Sequence, residues 1–186
     1  MTKEGQQYLL QLARRAIQKY LQSGQILQIE SENLSPALQE KRGIFVTLEE
    51  NGELRGCIGN LQPTKMVYQG VIDNSLSSAF FDPRFPSLTI EEFPDIKIEI
   101  SILDPLEKLS SFSSSAKLLD YLSKNKPGLL IKKGGKEATF LPQVWEDLPD
   151  AELFLQNLCQ KAGLDQDDWK KPGLEISEYK VEKFKE

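Results

Sequence analysis

The sequence predicts an α+β fold, a mainly antiparallel sheet with flanking helices, plus a smaller packed lobe. Helical and strand-like periodicities intermix along the chain without a regular βαβ order. Two pairs of strand-like runs are joined by short glycine-bearing turns, the mark of antiparallel hairpins. The length, 186 residues, suits one domain with at most a small appended lobe, since domains hold roughly 100–200 residues. A single domain over 1–186 is therefore expected, its smaller lobe including part of 105–145.

Taken in order, Tyr8, Leu9, Leu12, Ala13, Ala16, Ile17, Tyr20 and Leu21 recur at the spacing of one broad helical face, which Gly24 ends. Ser35-Pro36 reads as an N-cap followed by proline in the first turn of a short helix. Arg42 to Ile58 reads as a hairpin: Ile44, Val46 and Leu48 alternate with Phe45, Thr47 and Glu49, and Asn51-Gly52 suits a type I′ turn. Pro63 and Thr64 are expected to open a helix reaching about Phe81, with one face unusually poor in large residues. Ser75, Ser77, Ser78 and Ala79 would let another backbone come close, or line something polar. Asp82-Pro83-Arg84-Phe85-Pro86 is a stiff loop with two φ-locked positions. Thr89 and Glu92 have capping-box spacing for a brief helical turn ended by Pro94.

Ile96, Ile98, Ile100 and Ile102 give the clearest strand, one face dry and the other at least partly wet, terminated by Asp104-Pro105. A serine-rich stretch, Ser110 to Ser115, precedes a helix carrying Ala116, Leu118, Leu119 and Leu122. Leu129 to Ile131 and Thr139 to Leu141 bracket Lys132-Lys133-Gly134-Gly135-Lys136, a second hairpin with a basic turn. Asp150 can cap a helix holding Leu153, Phe154, Leu158, Cys159 and Ala162, with Gly163 at its C′ position. The tail from Leu174 to Phe184 alternates imperfectly and is expected to be one strand with a bulge.

Composition excludes several chemistries. The chain has no histidine, which removes His-based metal sites, Ser-His-Asp triads and Cys-His dyads. Two cysteines, Cys57 and Cys159, are too few for a zinc site or an iron–sulfur cluster, so no metal or cofactor is expected. A formal charge of -5, with no long basic stripe, argues against nucleic-acid binding. No apolar run approaches the ~18 residues of a membrane span, and MTKEGQQYLL contains no signal-peptide core. A cytoplasmic protein is expected.

The densest chemical candidate is Leu54-Arg55-Gly56-Cys57-Ile58-Gly59-Asn60. Glycines within a strand mark a bulge or the close approach of a ligand or second backbone. Cys57 is either a nucleophile activated by a nearby cation or a small buried hydrophobe. In a regular strand Arg55 and Cys57 share one face. Asp82 and Arg84, held by Pro83 and Pro86, either orient a planar anionic or polar ligand or tie their own loop down as an internal salt bridge. Lys132, Lys133 and Lys136 read as a solvated tip, Trp145 and Trp169 as packing residues, and Cys159 as structural.

Leu54-Arg55-Gly56-Cys57-Ile58-Gly59 resembles the hallmark string of the AMMECR-type domain family. The family is named for the human candidate-region protein of Alport syndrome, midface hypoplasia and elliptocytosis, and its microbial members are called AmmeMemoRadiSam system protein A. Asp82-Pro83-Arg84-Phe85-Pro86, Leu141-Pro142-Gln143-Val144, and Leu158 to Leu164 followed by Trp169 match in order, so the resemblance spans about Tyr8 to Phe184. Ala138 and Thr139 stand where relatives commonly carry glycine, and Pro86-Ser87 where a Pro-Pro pair is common. The resemblance implies two lobes, with the hallmark string near a cleft beside the Asp82–Pro86 loop. It also implies work alongside a radical-SAM protein and a motility-mediator-like protein that is itself similar to extradiol dioxygenases. Cys57, Asp82 and Arg84 are then the candidate catalytic residues, and Arg55, Gly56, Gly59 and Asn60 the candidate ligand contacts. The functional expectation is a pocket protein that binds or modifies a small anionic or peptide-like group. The alternative is a non-enzymatic interaction module.

Overall fold

The computed structural model describes residues 1–109 and 114–186. They form an α+β fold in two compact units, one of residues 1–103 with 182–186, the other of residues 104–181. The second unit takes in the 105–145 stretch, part of which the sequence assigns to a smaller lobe, and continues to residue 181.

In the first unit, α1 (Lys3–Ser23) is capped by the Thr2 hydroxyl and ended by Gly24 at φ 67°. Its apolar stripe is buried at Leu9, Leu12, Ala13, Ala16 and Ile17, as the periodicity predicts. The short α2 (Pro36–Gln39) follows, then β1 (Gly43–Glu50) and β2 (Glu53–Asn60). Asn51 and Gly52 both have positive φ, so the expected type I′ turn forms. Helix α3 (Val67–Phe80) starts later than Pro63 suggests. The preceding backbone is instead tied to the α2 exit: Lys41 bridges Met66, and Val67 N–H donates to Glu40 O at 2.9 Å.

Strand β3 (Ile96–Leu103) pairs antiparallel with β1, and the sheet order is β2-β1-β3-β8, where β8 is Val181–Lys185. One sheet face, carrying Ile44, Val46, Leu48, Ile98, Ile100 and Ile102, buries its aliphatic chains with those of α1 and α3 in a single core. The second face of β3 is drier than alternation suggests. Glu99 and Ser101 are buried there, because β3 is flanked on both sides by strands and Lys183 of β8 lies against Glu99.

The Thr89–Glu92 capping box forms, with Thr89 N–H on Glu92 Oε2 at 2.7 Å and Glu92 N–H on Thr89 Oγ1 at 3.4 Å. Pro94 lies inside the following 3-10 turn, Phe93–Asp95, where its missing N–H costs nothing, rather than ending it.

The second unit has β4 (Glu107–Lys108), α4 (Ser115–Asn125), β5 (Gly128–Lys133), β6 (Lys136–Phe140), α5 (Val144–Asp147), α6 (Ala151–Lys161) and β7 (Glu175–Tyr179). Its sheet order is β4-β7-β5-β6. Residues 110–113 of the serine-rich stretch lie outside the described residues, while Ser114 caps α4. Gly134 and Gly135 make the second hairpin turn with positive φ. Trp145 stacks on Phe154 with centroids 3.8 Å apart, and its indole N–H donates to Pro127 O, so it is a core residue. The tail forms two strands in different sheets rather than one with a bulge: β7 and β8 separate at Lys180.

The contact that positions the candidate site is between α3 and β2. A Cβ on Gly56 would stand 2.2 Å from the Ser78 carbonyl oxygen, so the small face of α3 admits the strand backbone directly. The Ser78 hydroxyl accepts from Ile58 N–H at 2.9 Å and donates to Val46 O at 2.7 Å, and Asn74 Nδ2 donates to Ile44 O at 2.9 Å. Helix side chains thereby complete the β1–β2 ladder. Gly56→Ala should lower stability by about 3 kcal/mol through overpacking. Gly24→Ala, where a Cβ meets nothing within 4 Å, should cost only about 1 kcal/mol of left-handed strain. Urea unfolding of the two variants checks the contrast.

Candidate functional site

The β1–β2 register pairs Leu48 with Gly56 but Glu49 with Leu54, which leaves Arg55 as an extra residue without a partner across the ladder. That bulge overturns the regular-strand expectation that Arg55 and Cys57 share a face. Beyond it, Gly56 and Ile58 are opposite Leu48 and Val46 on the core side, while Cys57 and Gly59 are opposite Thr47 and Phe45 on the other. The Cys57 thiol is half-buried. It accepts a hydrogen bond from Thr47 Oγ1 at 3.3 Å.

The loop after α3 brings Asp82 and Arg84 to Cys57. Asp82 is buried, and four donors meet its carboxylate: Cys57 N–H at 2.9 Å, Arg84 N–H at 3.1 Å, Arg84 Nε at 2.9 Å and Arg84 Nη2 at 2.6 Å. Arg84 Nη2 also donates to Cys57 O at 3.1 Å. An acid and a base from the loop thus satisfy both main-chain polar groups of Cys57, as a neighbouring strand would, and cap an otherwise open sheet edge. The Arg84 hydrogen bond, helped by the two backbone N–H groups, holds the Asp82 carboxyl far below the usual carboxylate range despite its burial. The same pair raises the Arg84 pKa, through the Asp82 hydrogen bond first, with the Cys57 sulfur a smaller contributor. The Arg84 side chain remains 53% exposed, and its Nη1 makes no hydrogen bond among the described residues.

Arg55 goes elsewhere. Its buried guanidinium forks onto Glu92, Nε to Oε1 at 2.9 Å and Nη2 to Oε2 at 3.3 Å. This pairing lowers the Glu92 pKa. Arg55 Nη1 is buried without a hydrogen-bond partner, and Phe85 lies near both arginines, 6.0 Å from Arg55 Cζ and 5.4 Å from Arg84 Cζ. Gly59 lets the Phe45 ring lie against the backbone, since a Cβ there would come within 2.3 Å of it. The Asn60 side chain is engaged by Asn74 Nδ2 at 3.2 Å and by Gln62 O at 2.5 Å.

The structure therefore gathers Cys57, Asp82 and Arg84, with Gly56, Gly59 and Asn60 shaping the strand around them and Arg55 bracing the loop's far end. Sequence reasoning missed Thr47 as the sulfur's partner and Glu92 as that of Arg55. The capping-box spacing marked Glu92, but nothing tied it to Arg55. The basic turn has internal partners: Lys132 pairs with Glu137, Lys133 with Asp168, and Lys136 with the Gly163 carbonyl. No helix among the described residues is long and apolar enough to cross a membrane.

Comparison with known proteins gives a consistent result. The sequence pattern of the AMMECR1 family matches residues 10–184. A protein of Methanopyrus kandleri is 36% identical over 194 aligned positions, which cover 100% of this chain and 90% of the relative. One from Methanosarcina mazei is 38% identical, with 95% and 89% covered. The crystal structure of an uncharacterised protein from Pyrococcus horikoshii superposes with a TM-score of 0.82 at 34% identity, covering 96% of this chain and 90% of that one.

The depressed Asp82 pKa sets a pH dependence. The stabilisation from this carboxylate is complete above its ordinary pKa near 4 and is lost as the pH falls through the lower folded value. Asp82→Asn should cost about 2 kcal/mol near neutrality, the usual worth of charged hydrogen bonds. Its deficit against wild type, measured by urea titration, should shrink steadily as the medium is acidified below the ordinary carboxylate range.

Proposed function

The chain belongs to the AMMECR1 family, and from that footing we propose that it binds a small anionic or peptide-like group over Cys57 and Arg84. It does so as a cytoplasmic partner of a radical-SAM protein and a dioxygenase-like protein. The observation that carries the reading is the Asp82 clamp. One buried carboxylate fixes the Cys57 backbone and the Arg84 guanidinium at 2.9 and 2.6 Å, and it leaves Arg84 Nη1 unused on an exposed side chain.

In this reading Arg84 receives the anionic end of the ligand, and Cys57 is the reacting group or point of attachment. Asp82 is a positioning residue: its four hydrogen bonds and depressed pKa keep it ionised, which suits it to holding Arg84 rather than carrying protons. Arg55 serves through its grip on Glu92, anchoring the far end of the loop. Gly56 and Gly59 keep the strand backbone close and bare, and Asn60 ends it.

A second reading, a non-enzymatic interaction module, draws support from Leu54, Phe81 and Ile90, which expose 46%, 64% and 57% of their surface around the same strand and loop.

Alkylation of Cys57 by iodoacetamide, followed on its tryptic peptide, separates the two. Inorganic phosphate or acetylglycine should slow the reaction about tenfold once present at ten times its dissociation constant. Arg84→Gln should abolish that protection, and Arg84→Lys should keep part of it. An inert Cys57 whose replacement by Ala lowers stability alone would leave the interaction module standing.

A further inference from the structure

Buried donors in folded proteins nearly always find acceptors, so one that does not calls for an explanation. Arg55 carries such a donor. The residue is only 7% exposed. Its Nε and Nη2 meet the Glu92 carboxylate at 2.9 and 3.3 Å, while Nη1 is buried with no hydrogen-bond partner. A guanidinium presents its five N–H groups in a fixed plane. With Glu92 holding one edge, both N–H groups of Nη1 are left without an acceptor. Their surroundings are dry enough to strengthen a contact with any anion that reaches them.

This donor lies beside the candidate site. Arg55 precedes Cys57 by two residues on β2. Phe85, half-buried on the loop, has Arg55 Cζ 6.0 Å and Arg84 Cζ 5.4 Å from its ring centre. The two arginines near this ring repeat one arrangement. Asp82 takes Nε and Nη2 of Arg84 as Glu92 takes those of Arg55, and in each case Nη1 is left over. A fork held along one edge has already lost its rotamer freedom, so an anion meeting the free corner has less ordering to do. Each guanidinium is also balanced by its own carboxylate, which lets two cations stand near one ring.

We infer that the ligand has two anionic ends, one received by Arg84 Nη1 and the other by Arg55 Nη1. Arg55 is then a binding residue as well as the anchor of the loop. The class this selects is a short diacid, two carboxylates or a carboxylate and a phosphate on a chain of a few carbons, because both guanidinium carbons lie within 6.0 Å of one ring centre. A single-ended acid engages Arg84 alone and leaves the buried donor of Arg55 as it stands. Since Arg55 Nη1 is sealed from solvent, entry takes a displacement, and Phe85 is the neighbour that a change of rotamer turns aside. The inference rests on the reading of Arg84 as the receiver of an anion and names the substrate class for it.

The test is isothermal titration calorimetry of the whole chain with succinate and glutarate, each set against its half-amide, succinamate or glutaramate. The half-amides keep the length and shape of the diacids and lose one charge. At least one diacid should bind the wild-type protein about tenfold more tightly than its half-amide, the lower end for a hydrogen bond to a charged group. Arg55→Lys keeps a cation for Glu92 but has a single nitrogen, and it should bring that ratio to about one. An Arg55 that only braces the loop would weaken diacid and half-amide alike and leave the ratio unchanged. Circular dichroism confirms the fold of the variant. An unchanged ratio in folded Arg55→Lys overturns the inference, and equal wild-type binding of diacid and half-amide overturns it without any variant. Either result, with acetylglycine still protecting Cys57 from iodoacetamide in the wild type, leaves the Arg84 reading in place. A wild-type protein that binds none of these acids, acetylglycine included, overturns both.

Discussion

Helix α3 and strand β2 meet backbone against backbone, and the candidate site depends on that meeting. The Ser78 carbonyl stands where a side chain at residue 56 would begin, so glycine must face the helix at this point. A two-residue turn at Asn51-Gly52, continued in plain register, would put Arg55 opposite Leu48 and turn Cys57 toward the core. The extra residue at Arg55 moves Gly56 onto the helix side. The same shift puts Cys57 on the opposite face, beside Thr47 and within reach of the loop. Close packing and the exposure of the thiol are therefore one constraint viewed from two sides of the sheet.

The loop from Asp82 to Glu92 is anchored at both ends by charge. Near α3 the Asp82 carboxylate gathers Cys57 and Arg84. Ten residues on, Glu92 grips Arg55 and closes its own capping box. Between them Pro83 and Pro86 limit backbone freedom, so fewer conformations have to be given up when the anchors form. The two arginines that look equivalent in the sequence consequently differ in environment. Arg55 is buried and paired, while Arg84 is paired on one side and faces outward on the other.

Much of this was legible in the residue pattern. The amphipathic stripe of α1, the Asn51-Gly52 turn, the Thr89–Glu92 box and the Asp150 cap each rest on local chemistry within a few residues, and each formed as read. The small face of α3 left two readings open, the approach of another backbone or the lining of something polar, and Gly56 of β2 is the backbone that comes close. What escaped depended on register or on distant partners. A bulge leaves no compositional mark beyond a glycine, yet it reassigns the face of every later residue, which is why Thr47 could not be matched to Cys57 in advance. The division of the tail at Lys180 had no proline or glycine to signal it. The dryness of Glu99 depended on β8, whose residues lie more than eighty positions further along the chain.

That last strand has a bearing on how the molecule comes into being. Residues 104–181 are threaded as an insertion between β3 and the strand that completes its sheet. During synthesis, β3 must wait with one hydrogen-bonding edge unsatisfied until residues 104–181 and β8 have followed it out of the ribosome, and an unpaired edge is a template for wrong partners. Glu99 likewise gains its lysine only when β8 arrives. The nascent chain thus acquires its finished sheet, and the Lys183–Glu99 pair, only after the inserted residues have been made.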